Sequence, residues 1–240
     1  VQAQFPVNPQ GQKLPVGFDV ELDIADVSLA EPLQGQTVRE AYGTVRIVPS
    51  HAEIKADAKL NGISASIELT EPFADTVERS RKVDLKLDDA ARDQLLPALS
   101  MLLSGSANVG IDLSNTERQA VTADLSSSVL SLPWIGWSKG AGIAATTAFQ
   151  MERSGDQTFL HGFGIQGESF AVGGEVSLDE AGLTKASFPR VRLNRGDDFS
   201  VDIQRRGRGY AIAVKGQALD ARSLIKALRA TSEAGGTAAN

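Results

Sequence analysis

Apolar side chains between Phe159 and Lys215 fall on alternate positions: Phe170, Val172, Val176 and Leu178, then Val191 and Leu193, then Phe199, Val201 and Ile203, then Tyr210, Ile212 and Val214. A period of two is the repeat of an extended strand, in which successive side chains point to opposite faces. Each segment is therefore read as a strand with one apolar and one polar face. A sheet made of such strands must bury its apolar face under a second layer, close on itself, or offer that face to a ligand. That choice governs what the chain can do.

The same repeat extends backward. Val20, Leu22 and Ile24 alternate with Asp19, Glu21 and Asp23; Val27 and Leu29 then fall out of phase by one, as a β-bulge would leave them, before Pro32 ends the run. Ile54, Ala56, Ala58 and Leu60 lead into Asn61-Gly62, and Ile63, Ala65, Ile67 and Leu69 lead out. Asn-Gly suits a two-residue type I′ turn, whose register sets Leu60 opposite Ile63, Ala58 opposite Ala65, Ala56 opposite Ile67 and Ile54 opposite Leu69. All of these pairs are apolar, and on the other face Lys55 meets Glu68. Further strands are expected at Val83, Leu85 and Leu87, at Val109, Ile111 and Leu113, and at Val121, Ala123 and Leu125.

At Asp88 the period changes. Leu95, Leu96, Leu99, Leu102 and Leu103 share one stripe of a 3.6-residue helix, with Asp88 or Asp89 as its cap, Gly105 as its stop and Pro97 as an interruption. A second short helix is expected from Asp220, with Leu219 stapled onto Leu224 and with Ile225 and Leu228 continuing the stripe. Residues 1–17, rich in Pro and Gly, read as a leader or linker from a preceding module, and 231–240 as a disordered tail. The expectation is one elongated all-β domain over 18–230, mainly antiparallel, with two short helices and no tandem repeat.

Composition narrows the function classes. The 240 residues, 42% of them hydrophobic, suffice for a core, and a net charge of −6 argues against nucleic acid as a partner. There is no cysteine, so disulfides, thiol nucleophiles and cysteine-based metal sites are excluded. No apolar run reaches the ~18–20 residues of a membrane helix. The sequence begins at Val1 without a start Met and is read as a segment of a longer protein.

The sequence holds no recognisable catalytic constellation. His51 and His161 have no carboxylate or second histidine at a metal-ligand spacing, Asp88-Asp89 sits where a helix cap belongs, and Ser126, Ser127 and Ser128 lack a nucleophile-elbow context. No enzyme, cofactor or metal site is expected. Arg190, Arg192, Arg195, Arg205, Arg206 and Arg208 form a local basic cluster, read as solvated edges and turns that discourage strand addition. Both tryptophans fall in Leu132-Pro133-Trp134-Ile135-Gly136-Trp137-Ser138-Lys139, read as a turn whose rings seal one end or edge of the sheet.

That Leu-Pro-x-x-Gly-Trp-x-Lys pattern follows a strand ending Asp124-Leu125-Ser126; the hairpins of Phe163 to Leu193 come next, and then Gly216-Gln217-Ala218-Leu219-Asp220-Ala221-Arg222-Ser223-Leu224-Ile225. Over residues 18–230 the combination resembles the AsmA-like superfamily of Gram-negative envelope proteins, with its YhdP-type and TamB-related members. The resemblance implies a C-terminal periplasmic segment of an inner-membrane-anchored protein, with a curled sheet whose concave apolar groove carries phospholipid acyl chains between inner and outer membranes. It implies no catalytic residue. Its partners would be phospholipid, the two membranes reached through the full-length protein, and other envelope proteins. On that reading Ile54, Leu60, Ile63, Ile67, Leu69, Val109, Ile111, Phe170, Val172, Val176, Leu178, Val201, Ile203, Ile212 and Val214 line the groove. Leu95, Leu99 and Leu102 of the first helix would cover it. The rival expectation is a structural β scaffold with a filled core that binds protein partners in envelope assembly. The two differ in whether the apolar face is open or packed.

Overall fold

The computed structural model describes residues 17–29, 36–95, 100, 102–132, 137–207 and 209–218. The elements of the first half are β1 (Val20–Val27), β2 (Val38–Val48), β3 (His51–Leu60), β4 (Ile63–Pro72), β5 (Ser80–Leu87), α1 (Asp89–Leu95), β6 (Leu103–Gly105), β7 (Ala107–Asp112) and β8 (Arg118–Asp124). Those of the second half are β9 (Ser128–Leu132), β10 (Trp137–Lys139), β11 (Ala145–Ser154), β12 (Gln157–Gly167), β13 (Ala171–Asp179), β14 (Gly182–Arg192), β15 (Asp198–Arg206) and β16 (Gly209–Ala218). β1 to β5, β7, β8 and β11 to β16 follow one another in hydrogen-bonded order in one 13-stranded sheet, while β10, β9 and β6 form a separate 3-stranded sheet. The chain is thus mainly antiparallel β, as its period of two predicts. The leader to residue 16, the second helix at 219–228 and the tail at 231–240 lie outside the described residues.

The chain divides into two compact units, one taking residues up to Leu85 with Ile111–Ser114, the other taking Lys86–Gly110 and the chain from Asn115 onward. The first is built on the Asn61-Gly62 hairpin. β3 pairs with β4 in the register that turn dictates, Leu60 with Ile63, Ala58 with Ala65, Ala56 with Ile67 and Ile54 with Leu69, and Lys55 lies opposite Glu68. Asn61 (φ 51°) and Gly62 (φ 85°) both adopt the positive φ a type I′ turn demands. Asn61 Oδ1 also accepts from the Thr37 amide at 2.9 Å, tying the turn to the start of β2. β1 carries the expected bulge: its pairing with β2 slips between Ile24 and Val27, where Asp26 has φ 53°. β2 itself is not legible as a strand from alternation, and the reason is a second irregularity. Its pairing with β3 slips between Arg39 and Tyr42, Glu40 has φ 51°, and the period of two breaks there.

In the second unit β8 and β11 to β16 pair antiparallel, each with the next. Directly opposed residues share a face, so register assigns sides. Phe149 lies opposite Val121, Met151 opposite Leu160, Leu160 opposite Val176, Val176 opposite Ala186, Ala186 opposite Ile203, and Ile203 opposite Ile212, which makes one apolar side. Glu152, His161, Glu175, Ser187 and Asp202 take the other side. β6, β9 and β10 pack over part of the apolar side through Leu103, Leu130, Leu132 and Trp137.

The first helix is shorter than its leucine stripe predicts. Asp88 does cap it, its carboxylate accepting from the Ala91 amide at 2.9 Å. Yet α1 spans only Asp89–Leu95; Leu102 lies in a turn, Leu103 opens β6 opposite Leu130, and Gly105 sits in a strand at φ 83°. Pro97 supplies the physical reason, since it cannot donate to the helical ladder and its ring clashes with the carbonyl four residues back. Beyond it, Leu103 is taken up by strand pairing instead. Within α1 the buried side chain is Arg92, held by Asp89 and by Asp93 (2.8 Å), while Leu95 is 41% exposed. Leu99 lies outside the described residues.

Candidate functional site

The strands of each unit place their apolar side chains together on one side. In the first unit Val20, Leu22 and Ile24 lie opposite Ile47, Val45 and Gly43, Val45 lies opposite Ile54, and Ile67 lies opposite Val83. Among the described residues the elements of this unit are strands of the large sheet. Burial is graded along it. Ala58, Ile63, Ala65 and Val83 are buried; Ile54, Leu60, Ile67 and Leu69 are half-buried; and Leu22, on the edge strand, is 48% exposed.

In the second unit the apolar side is split in two. One part is filled. Ala107, Ala123, Leu125, Ala145 and Phe170 form a buried cluster on which Leu103, Val109, Leu130, Trp137 and Ile165 pack. A second cluster of Val191, Leu193 and Phe199 takes Leu132, Trp137, Val172, Phe188 and Val201 against it. Trp137 belongs to both. Its ring meets Phe170 edge-on at 5.0 Å, and its indole N–H donates to Leu193 O at 2.9 Å. Phe170 can lie there because residue 167 is glycine, where any Cβ would fall 2.2 Å from the phenyl ring.

Lys139, at the end of β10, fastens the same layer. It is 2% exposed, and its ammonium donates to Leu125 O, Ser126 O (3.4 Å) and Ser128 O (2.7 Å), the carbonyls of the turn that joins β8 to β9. Burial pushes it below the usual lysine range, and the nearby Asp124 pulls it partly back. Ser128, 0% exposed, closes the arrangement by donating from Oγ to Ser106 O at 2.8 Å.

The other part of the apolar side lies outside both clusters. Phe149, Met151, Leu160, Phe163, Val176, Leu178 and Ile203 are half-buried there, and on the terminal strand Tyr210, Ile212 and Val214 are 49%, 60% and 52% exposed. Phe149 and Phe163 approach at 5.9 Å between ring centres, and Phe163 and Phe188 at 6.1 Å.

The fifteen strand positions expected to share a wall therefore divide. Ile54, Leu60, Ile67, Leu69 and Ile111 are half-buried in the first unit, where Ile63 is buried. In the second unit Val176, Leu178, Ile203, Ile212 and Val214 lie outside both clusters. Val109, Phe170, Val172 and Val201 pack instead against the filled clusters, because β6, β9 and β10 occupy the space above them. Among the described residues that cover comes from three strands, and Leu95 of α1 is 41% exposed. Alternation found the face, but not the short strands that lie on it, since three or five residues are too few to show a period. The phenylalanine series across β11, β12 and β14 was likewise invisible, because its members become neighbours only through pairing.

Comparison with protein families, with curated proteins and with solved structures finds no match for this chain.

The polar side holds paired charges. His161 stands between Glu152 (3.3 Å) and Glu175 (3.1 Å), and Arg118 holds Glu152 at 2.8 Å. Among the described residues no group of three or more His, Asp or Glu could hold a metal ion. Of the basic cluster, Arg190, Arg192, Arg195 and Arg206 are exposed, and Arg208 lies outside the described residues. Arg205 is committed to structure. It grips Asp179 with two hydrogen bonds of 2.7 and 3.0 Å and donates to Leu183 O at 2.9 Å. The Arg205 guanidinium holds the Asp179 carboxyl below the usual carboxylate range. A carboxyl depressed in the folded state adds stability that is present above its unfolded pKa of ~3.9 and is lost as pH falls through its folded value. Asp179→Asn should accordingly flatten the acid side of the stability-versus-pH curve, as read by thermal melts between neutral and strongly acidic pH; an unchanged acid slope would remove Asp179 from the list of groups that set it.

Proposed function

We propose that the apolar strand faces serve as wall sections of a conduit that shields phospholipid acyl chains between inner and outer membranes, within a longer, inner-membrane-anchored periplasmic protein. The observation that carries this reading is the incomplete cover of the apolar side within each unit: Leu22 in the first is 48% exposed, and Ile212 and Val214 in the second are 60% and 52% exposed, each on the side to which its own strand's alternation aims the apolar residues. Contiguous exposed apolar surface is costly in water unless something is meant to lie on it. The energetics fit an acyl chain. Each methylene left in water costs ~0.8 kcal/mol, so a chain of ~16 carbons costs on the order of 12 kcal/mol and must be covered along its route. A wall of Val, Ile, Leu and Ala provides that cover without polar competitors. The resemblance of residues 18–230 to AsmA-like envelope proteins supports the same reading, and no step of it requires catalysis.

The rival reading, a scaffold that binds protein partners in envelope assembly, is favoured by the filled clusters around Trp137, where the face is packed by the chain itself. A photoreactive side chain at Ile67, on the apolar side of β4, decides between them when compared with one at Lys55 on the opposite side of β3. The expected result is a phospholipid adduct from Ile67 and none from Lys55 in cells. Protein adducts from Ile67 without lipid would transfer the argument to the scaffold.

A further inference from the structure

The second unit divides its own apolar side, and that division carries a consequence for where a ligand can lie. We propose that β6, β9 and β10 are a built-in filler that closes one part of the face permanently and confines an acyl chain to the band running from Phe149 through Phe163 and Val176 to Ile203 and Ile212. This rests on the lipid-conduit reading and goes beyond it by naming which rows of the wall are used.

The filler is fastened as a permanent part would be. Trp137 is shared by both buried clusters and bonded to Leu193 O, and Lys139 satisfies its buried ammonium on carbonyls of a single turn. Releasing the layer would strip that ammonium of its acceptors and leave the carbonyls unpaired, a poor design for a cover that opens in each cycle. The band beside it has the opposite character. Its residues lie in neither cluster; its larger side chains on β11, β12, β13 and β15 are half-buried, the small Ala186 on β14 is 2% exposed, and on the terminal β16 Ile212 reaches 60%.

Dimensions and charge choose the occupant. The band crosses β11 to β16, six strands with five gaps of ~4.8 Å, or roughly 24 Å, whereas one leaflet of a ~30 Å hydrocarbon core gives an acyl chain about 15 Å of reach. One chain therefore fits across the strands with room at its ends. On β11 the alternation that sets Phe149 and Met151 on this side continues to Arg153, which is exposed at the hairpin end. A cation at the rim of an apolar band suits an amphiphile with an anionic head better than an apolar peptide.

The test compares two valines on the same side. Val176 lies in the band, and Val191 lies under the filler at 5% exposure. Each is replaced in turn by a diazirine-bearing aliphatic residue in the whole chain, which is irradiated with vesicles of phosphatidylethanolamine and phosphatidylglycerol. Lipid labelling several-fold stronger at 176 than at 191 is expected, with the contrast lost in a Trp137→Ala background. Equal labelling in the parent chain would overturn the filler while leaving the conduit reading intact. Label at neither position, together with none at Ile67, would overturn both. Should Trp137→Ala not fold, the contrast in the parent chain still decides.

Discussion

Replacing Lys139 by methionine is expected to lower the unfolding free energy by about 2–4 kcal/mol, a large share of what a domain possesses. An ammonium carries three donors, and here three backbone carbonyls, of Leu125, Ser126 and Ser128, face it. Methionine matches the length of the stem but donates to none of them. Each buried acceptor left unpaired costs about 1–3 kcal/mol, and the gain from no longer burying a charge offsets only part of the sum. The effect is local in origin and global in readout, because the turn concerned joins β8 to β9 and so positions the filler. Urea denaturation of parent and variant measures it. A loss under about 0.5 kcal/mol, the scale of an ordinary surface change, would mean that water replaces the ammonium without penalty. The pH dependence has a definite sign. With the folded pKa pushed down by burial, the unfolded chain holds the Lys139 proton more tightly, so its titration makes stability rise as pH climbs toward the ordinary lysine value of ~10.4. That rise should vanish in the methionine variant.

Trp137→Ala should cost more, about 3–5 kcal/mol, the range for deleting a large aromatic side chain from a packed site. The ring touches both clusters of the second unit, so its loss opens one void that neither can fill alone. The edge-on contact with Phe170 at 5.0 Å and the hydrogen bond to Leu193 O go with it. Trp137→Phe separates these contributions. It retains most of the area and loses the N–H, and should cost roughly 1–3 kcal/mol, the penalty of an unpaired buried carbonyl plus a small void. Calorimetric melts of the two variants check the order. Equal losses would assign the effect to the hydrogen bond alone, and a negligible loss in both would show that Trp137 is not what holds the three-stranded layer in place.

Both substitutions act on one device, the layer that decides which part of the apolar side is a core and which part is a surface. A sheet with one apolar side can be finished in either way, and the second unit does both within the same strands. Phe170, read along its strand, looks like any wall residue; at 3% exposure beneath Trp137 it is core. Ile212 obeys the same alternation and is 60% exposed.

Much of this protein is local and was therefore written in the order of its residues. The Asn61-Gly62 turn set the pairing of β3 with β4 residue by residue, since only positive φ at both turn positions gives a two-residue loop and that loop leaves one register. The bulge after Ile24 and the cap at Asp88 are likewise short-range, decided by side chains within a few positions. Strand character and the sorting of apolar from polar sides follow from a period of two and need no distant partner. What tertiary structure alone decided is which apolar residues are covered. That depends on β6, β9 and β10 reaching across from elsewhere in the chain, on Leu103 pairing with Leu130 in a strand, and on Lys139 finding its carbonyls, all contacts between residues whose separation no periodicity records. Burial is a property of neighbours in space, and alternation along a strand reports only direction.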